Sequence, residues 1–111
     1  MNIKTIDINV LTWFDSVNGN SYFAGEIILN YKLADETILY MPYQYGYGSQ
    51  FKFEALRMIH KHYATVNRYP LRAPYRTLNV NALWQLEKYL GCIVRINTRR
   101  AKKAELRKVG K

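Results

Sequence analysis

The chain has 111 residues, with 17 Lys+Arg against 8 Asp+Glu, a formal charge of +9 and a pI near 9.8. An apolar fraction of 49% and an aromatic fraction of 14%, with ten Tyr, exclude disorder over most of the length, and the size suits one domain with its own core. The single Cys92 excludes an internal disulfide, one Cys and two His are too few for a standard structural zinc site, and no apolar run is long enough for a membrane span or an export signal. These features describe a cytoplasmic protein without metal or cofactor, whose positive charge favours polyanions, nucleic acid first.

The first elements are two β-rich runs, Ile3 to Asp15 and Ser21 to Tyr31, around Asn18-Gly19, the dipeptide favoured in a two-residue type I′ hairpin turn. Closing the turn there sets Phe14 opposite Phe23, Val10 opposite Ile27, Ile8 opposite Leu29 and Ile6 opposite Tyr31, an apolar face. The other face pairs Trp13 with Ala24, Leu11 with Glu26, Asn9 with Ile28 and Asp7 with Asn30, and is mixed. After a polar turn at Lys32 to Glu36, Thr37 to Met41 reads as a third strand ended by Pro42. The stretch Tyr43-Gln44-Tyr45-Gly46-Tyr47-Gly48 is too glycine-rich for a helix interior, and Ser49 follows as a plausible N-cap.

From Gln50 to about Ala64, Phe51, Ala55, Met58, Ile59 and Tyr63 recur at helical spacing. Pro70 and Pro74 make Thr65 to Leu78 a loop carrying Arg68, Tyr69, Arg72, Tyr75 and Arg76, and a second helix is predicted from an Asn79 N-cap to Gly91. Cys92 to Ile96 alternates as a short fourth strand would. The fold class is therefore α+β: an antiparallel β-meander, the N-terminal hairpin plus a third strand, packed on two helices through Ile6, Ile8, Val10, Phe14, Phe23, Ile27 and Leu29. Residues 1–98 form the domain and 99–111 a basic tail, whose removal should barely change stability.

Charge is divided along the chain. Residues 1–47 hold Lys4 and Lys32 against Asp7, Asp15, Glu26, Asp35 and Glu36, whereas the remainder holds the other fifteen basic groups against Glu54, Glu87 and Glu105. The tail contributes Arg99, Arg100, Lys102, Lys103, Arg107, Lys108 and Lys111 against Glu105 alone, a strong but unspecific signal for polyanions. In the loop, guanidinium groups set among aromatics and prolines suit bidentate phosphate contacts, or lie solvated over neighbouring rings. Tyr43, Tyr45 and Tyr47 are either stacking platforms for bases or a rigid aromatic plug between strand and helix.

Catalytic patterns are poor. His60-Lys61-His62-Tyr63 is superficially similar to the His-hydrophobic-His plus Tyr arrangement of rolling-circle nickases, but Lys61 occupies the hydrophobic position and histidines two apart on a helix face different ways. Asn18 to Gly25 resembles the second half of a GIY-YIG nuclease core without its paired strand or its catalytic Arg and Glu. Gly46-Tyr47-Gly48 resembles part of the ribonucleoprotein motif, but Ser49 and Gln50 follow where that motif needs aromatic and aliphatic residues. Cys92, on a predicted core face, reads as a buried thiol.

Thr12-Trp13-Phe14-Asp15-Ser16-Val17-Asn18-Gly19-Asn20-Ser21-Tyr22-Phe23 with Tyr45-Gly46-Tyr47-Gly48 resembles small uncharacterised bacteriophage-encoded proteins, over residues 12 to about 55. The resemblance implies a phage or mobile-element origin, and with it either the handling of viral nucleic acid or the blocking of a host defence complex. The sequence reading is thus non-catalytic nucleic-acid binding, not an enzyme, with DNA and RNA both open. Contacts are expected from Arg68, Arg72, Arg76, Arg99, Arg100, Lys102, Lys103, Tyr45, Tyr47, Tyr69 and Tyr75. The alternative is a protein-interaction module that docks on a host complex.

Overall fold

The computed structural model describes residues 2–68 and 82–110. Its elements follow the order β1 (Thr5–Asp15), β2 (Asn20–Leu29), β3 (Thr37–Tyr45), α1 (Gln50–Asn67), α2 (Ala82–Leu90), β4 (Ile93–Arg100) and α3 (Lys103–Arg107). This is an α+β arrangement with one four-stranded mixed sheet in the order β3-β2-β1-β4. β1 pairs antiparallel with β2, β2 antiparallel with β3, and β4 joins β1 in parallel after the chain has passed through both long helices.

One sheet face carries the core. Ile6, Ile8 and Val10 of β1 alternate inward with Phe23, Ile27 and Leu29 of β2, as the binary pattern requires, and Met41 joins them from β3. Phe51, Ala55, Leu56 and Ile59 of α1 with Leu83 and Leu86 of α2 cover that face. Met58 and Tyr63 of the expected helical stripe are only half-buried against it, and Leu56 takes a fully buried place. Cys92 is buried just before β4, where desolvation, and then the Glu87 carboxylate, push its thiol pKa up.

The hairpin register differs from the expected one by two residues. Asp15 pairs with Asn20, so that Ile6 faces Leu29, Ile8 faces Ile27, Val10 faces Gly25 and Phe14 faces Ser21. The reason is the Asp15 carboxylate, which accepts hydrogen bonds from the Val17 and Asn18 backbone N–H groups at 3.0 and 3.2 Å and from the Asn18 amide at 2.8 Å. The Gly19 N–H donates to the Asp15 carbonyl at 2.8 Å, with Gly19 at φ +70°. A four-residue loop, Ser16 to Gly19, thus replaces the two-residue turn. A slip of two preserves the faces, so the core survives except at Phe14, which is 59% exposed. Its row lies one step nearer the turn than Phe23, whose ring meets Phe51 at the start of α1.

Two further boundaries move. β3 continues through Pro42 to Tyr45, because on an edge strand the missing N–H removes no ladder bond, and the register shift between Phe23 and Gly25 absorbs the irregularity. At the other end β4 runs to Arg100, and α3 packs across β1, β2 and β3 on the sheet's second face with Leu106 fully buried. The segment expected as a tail from residue 99 is to that extent part of the fold. Its thin apolar side suffices because the face it meets already offers Leu11, Ala24 and Ile28, of which Ala24 is fully buried.

Asn30 ends β2 at φ +57° and is completely buried. Its Oδ1 accepts from the Lys4 N–H at 2.6 Å and its Nδ2 donates to the Asn2 carbonyl at 2.8 Å, which ties the N-terminal segment to the sheet. Among the described residues no helix is long and apolar enough to cross a membrane.

Candidate nucleic-acid interface

The second sheet face is built in rows. Near the hairpin turn, Trp13 of β1 opposes Tyr22 of β2, which opposes Tyr45 of β3. Trp13 and Tyr22 lie 5.5 Å apart between ring centroids, Tyr22 stacks on Tyr43 at 5.1 Å, and Tyr45 meets both Tyr22 and Tyr47 edge-on. The Tyr47 hydroxyl donates to the Gly19 carbonyl at 2.7 Å and holds the loop before α1 against the hairpin turn. Desolvation, and then the neighbouring Tyr22, raise the Tyr43 pKa.

Cations reach this row from the C-terminal segment. Lys103 Nζ sits 5.6 Å from the Trp13 ring centre, within cation–π range, and Arg107 is close enough to Tyr43 to oppose the rise in its pKa. Arg99 touches Glu105 only through 3.4 Å contacts between exposed groups, while Arg100, Lys102, Lys103, Arg107 and Lys108 form no ion pair with the described residues. Two arginines elsewhere are matched with carboxylates. Arg95 binds Asp7 through two bonds of 2.6 and 3.0 Å, and Arg57 pairs with Glu54 along α1.

Behind the row, on the core-side face, a cleft of about 560 Å³ opens between the hairpin and the first turn of α1. Thr12, Phe14, Phe23, Gly46, Phe51 and Arg100 are among its walls. Gly46 is required there, since a Cβ would lie 2.5 Å from the Phe23 ring and 2.7 Å from the Gln50 side chain. Ser49 precedes α1 without a side-chain capping bond, contrary to the N-cap expectation.

Of the residues nominated from sequence, the structure brings Tyr45, Tyr47, Arg99, Arg100, Lys102 and Lys103 to the hairpin end of the sheet. Tyr45 belongs to β3 rather than to a loop. Arg68 lies apart: it is the left-handed C-cap of α1, φ 61°, separated from the Gly48 end by an 18-residue helix about 27 Å long. Tyr69, Arg72, Tyr75 and Arg76, like the Asn79 N-cap, lie outside the described residues. Sequence reasoning did not bring Trp13, Tyr22 and Arg107 together. The signal for the first two was present, because Trp13 and Tyr22 become direct partners once Asp15 pairs with Asn20.

Among the described residues no three His, Cys, Asp or Glu side chains are grouped as metal ligands would be. His60 is half-buried and desolvation lowers its pKa. No known family model, curated protein or solved structure matches the chain.

Proposed function

We propose that the protein binds single-stranded nucleic acid, without chemistry on it, at the hairpin end of the sheet. The observation that carries this reading is the C-terminal segment's run of cations that form no ion pair with the described residues, with Lys103 and Arg107 set against the row Trp13, Tyr22, Tyr43, Tyr45 and Tyr47 and Arg100 lining the cleft behind it. A run of cations attracts phosphates through counterion release, and aromatic edges and faces bordering it suit unstacked bases. Tyr45 and Tyr47 are 55% and 48% exposed, which leaves ring surface for a base, whereas Tyr22 has neighbouring rings on several sides and serves to hold the row.

The test is the affinity for a single-stranded oligonucleotide as a function of salt. With about five phosphates neutralised, the log–log slope should be near −3.5, or roughly a hundredfold loss between 50 and 200 mM salt. Tight binding independent of salt, or no binding even at low salt, would overturn the reading in favour of a protein-interaction module.

A further inference from the structure

Beside the aromatic row, a second hollow of about 430 Å³ lies on the same sheet face, between the strands and the segment that follows α3. Its floor is one row of the sheet in strict register, Asn97 of β4, Asn9 of β1, Glu26 of β2 and Tyr40 of β3. Arg99 and Leu11 border it from the next row and Val109 closes one side. Gly110 follows at φ +79°, so near Tyr40 that a Cβ would lie 3.1 Å from the Tyr40 Cβ.

The polar floor is oriented by its own hydrogen bonds. A carboxylate only accepts, so the Asn9 amide must turn its Nδ2 to Glu26 Oε1, 3.5 Å away, and its Oδ1 to Asn97, whose Nδ2 donates at 3.2 Å. Glu26 Oε2 is left without a partner among the described residues, and beside it the two amides keep spare N–H groups. The floor therefore offers an acceptor for two adjacent N–H donors, flanked by donors for a carbonyl. Guanine has that edge, with N1–H and N2–H beside O6. Adenine and cytosine would bring a ring-nitrogen lone pair against the carboxylate, and uracil or thymine has one donor between two acceptors. A guanidinium also presents paired donors, but it is cationic and Arg99 stands at the rim.

We propose that this hollow is a guanine-selective base pocket, in which Glu26 reads the N1–H and N2–H edge, Tyr40 lies against the base and Arg99 takes the adjoining phosphate. Glu26 and Arg99 stand two strands and one side-chain row apart, about 12 Å between their backbone positions, and both side chains border the same hollow, so one ligand can reach both. A hollow of this size falls within the range of small-ligand sites. Tyr40 is 48% exposed and has ring surface to offer. The assignment rests on the nucleic-acid reading above and adds base selectivity to it.

The experiment compares oligothymidylates carrying one central G, A or C, with GMP and AMP as free-nucleotide probes. Wild type should prefer the G-containing strand by at least about fivefold, as a paired hydrogen-bond readout allows. Glu26→Gln should abolish the preference without weakening binding of the A-containing strand, since a negative charge near the phosphates is lost. Asn97→Ala, at an exposed edge-strand position, should reduce the preference while the protein melts normally, which covers the case of a Glu26 variant that fails to fold. Equal affinity for all three strands, with a steep salt dependence intact, would overturn the pocket and leave the function standing. If no strand binds, the function falls, and GMP decides the pocket: perturbation of the Asn9 and Asn97 side-chain amide resonances by GMP but not AMP supports a free-nucleotide site, and equal or absent perturbation overturns it.

Discussion

Truncating Leu106 to Ala should show that the C-terminal segment is part of the fold. From Lys102 to Lys108 every other residue is exposed, while Leu106 is completely buried, so a single side chain anchors α3. Five residues are far too few to hold a helix alone, and the element exists by virtue of that contact. Leu106→Ala removes three carbons, worth about 2.5 kcal/mol in transfer free energy at roughly 0.8 kcal/mol per methylene, with up to about 2 kcal/mol more if the site does not collapse. Detachment of α3 would relieve the cavity, so the lower figure is the one expected. The assay is urea unfolding, together with amide exchange of Leu106, Lys108 and Val109, whose N–H groups bond to carbonyls within the segment. With an m-value near 1.3 kcal/mol/M the midpoint should fall by about 2 M, and those amides should lose protection first. An unchanged midpoint with unchanged exchange would refute the argument and restore the separable arm.

Two further outcomes follow from buried groups. Asn30→Ala should cost about 2 to 4 kcal/mol in the same unfolding assay, because it leaves the Lys4 N–H and the Asn2 carbonyl unpaired and puts Ala at φ +57°. Asn30→Gly should recover only the backbone part. His60, whose pKa is lowered by desolvation, contributes stability that is present above its unfolded value near 6.5 and lost as pH falls through the folded value. The unfolding midpoint should therefore decline between pH 7 and 5, and His60→Gln should flatten that decline.

Much of the element order was legible because periodicity is local. The apolar alternation of Ile6, Ile8 and Val10 and the helical recurrence of Phe51, Ala55 and Ile59 each require one kind of surface. What escaped depended on individual side-chain contacts that periodicity does not encode. The Asp15 carboxylate competes with Asn18-Gly19 for control of the turn, and the two-residue slip it causes hid the opposition of Trp13 to Tyr22. A helix within Arg99 to Lys108 was compatible with the sequence, but its packing on the sheet escaped for a similar reason. Its one deep contact, Leu106, looks insufficient until Leu11 and Ala24 are seen as an uncovered patch on the mixed face. Arg99 and Arg100 read alike in the sequence, yet on a strand they point to opposite faces, one beside the hollow over Asn97 and the other into the cleft beside α1.

The most direct measurement of the central claim uses Trp13 as its own reporter. Trp84→Phe leaves one tryptophan, on the aromatic row with Lys103 over its ring. Adding a single-stranded oligonucleotide at low salt should quench the Trp13 emission as strand binds, and salt should reverse the quenching along the same slope as the affinity. In Trp84→Phe carrying Lys103→Ala and Arg107→Ala the quenching should require at least about tenfold more oligonucleotide, as the loss of two phosphate contacts implies. An oligonucleotide that binds while leaving Trp13 emission unchanged, or binds the triple variant as tightly as Trp84→Phe alone, would contradict an interface at the hairpin end of the sheet.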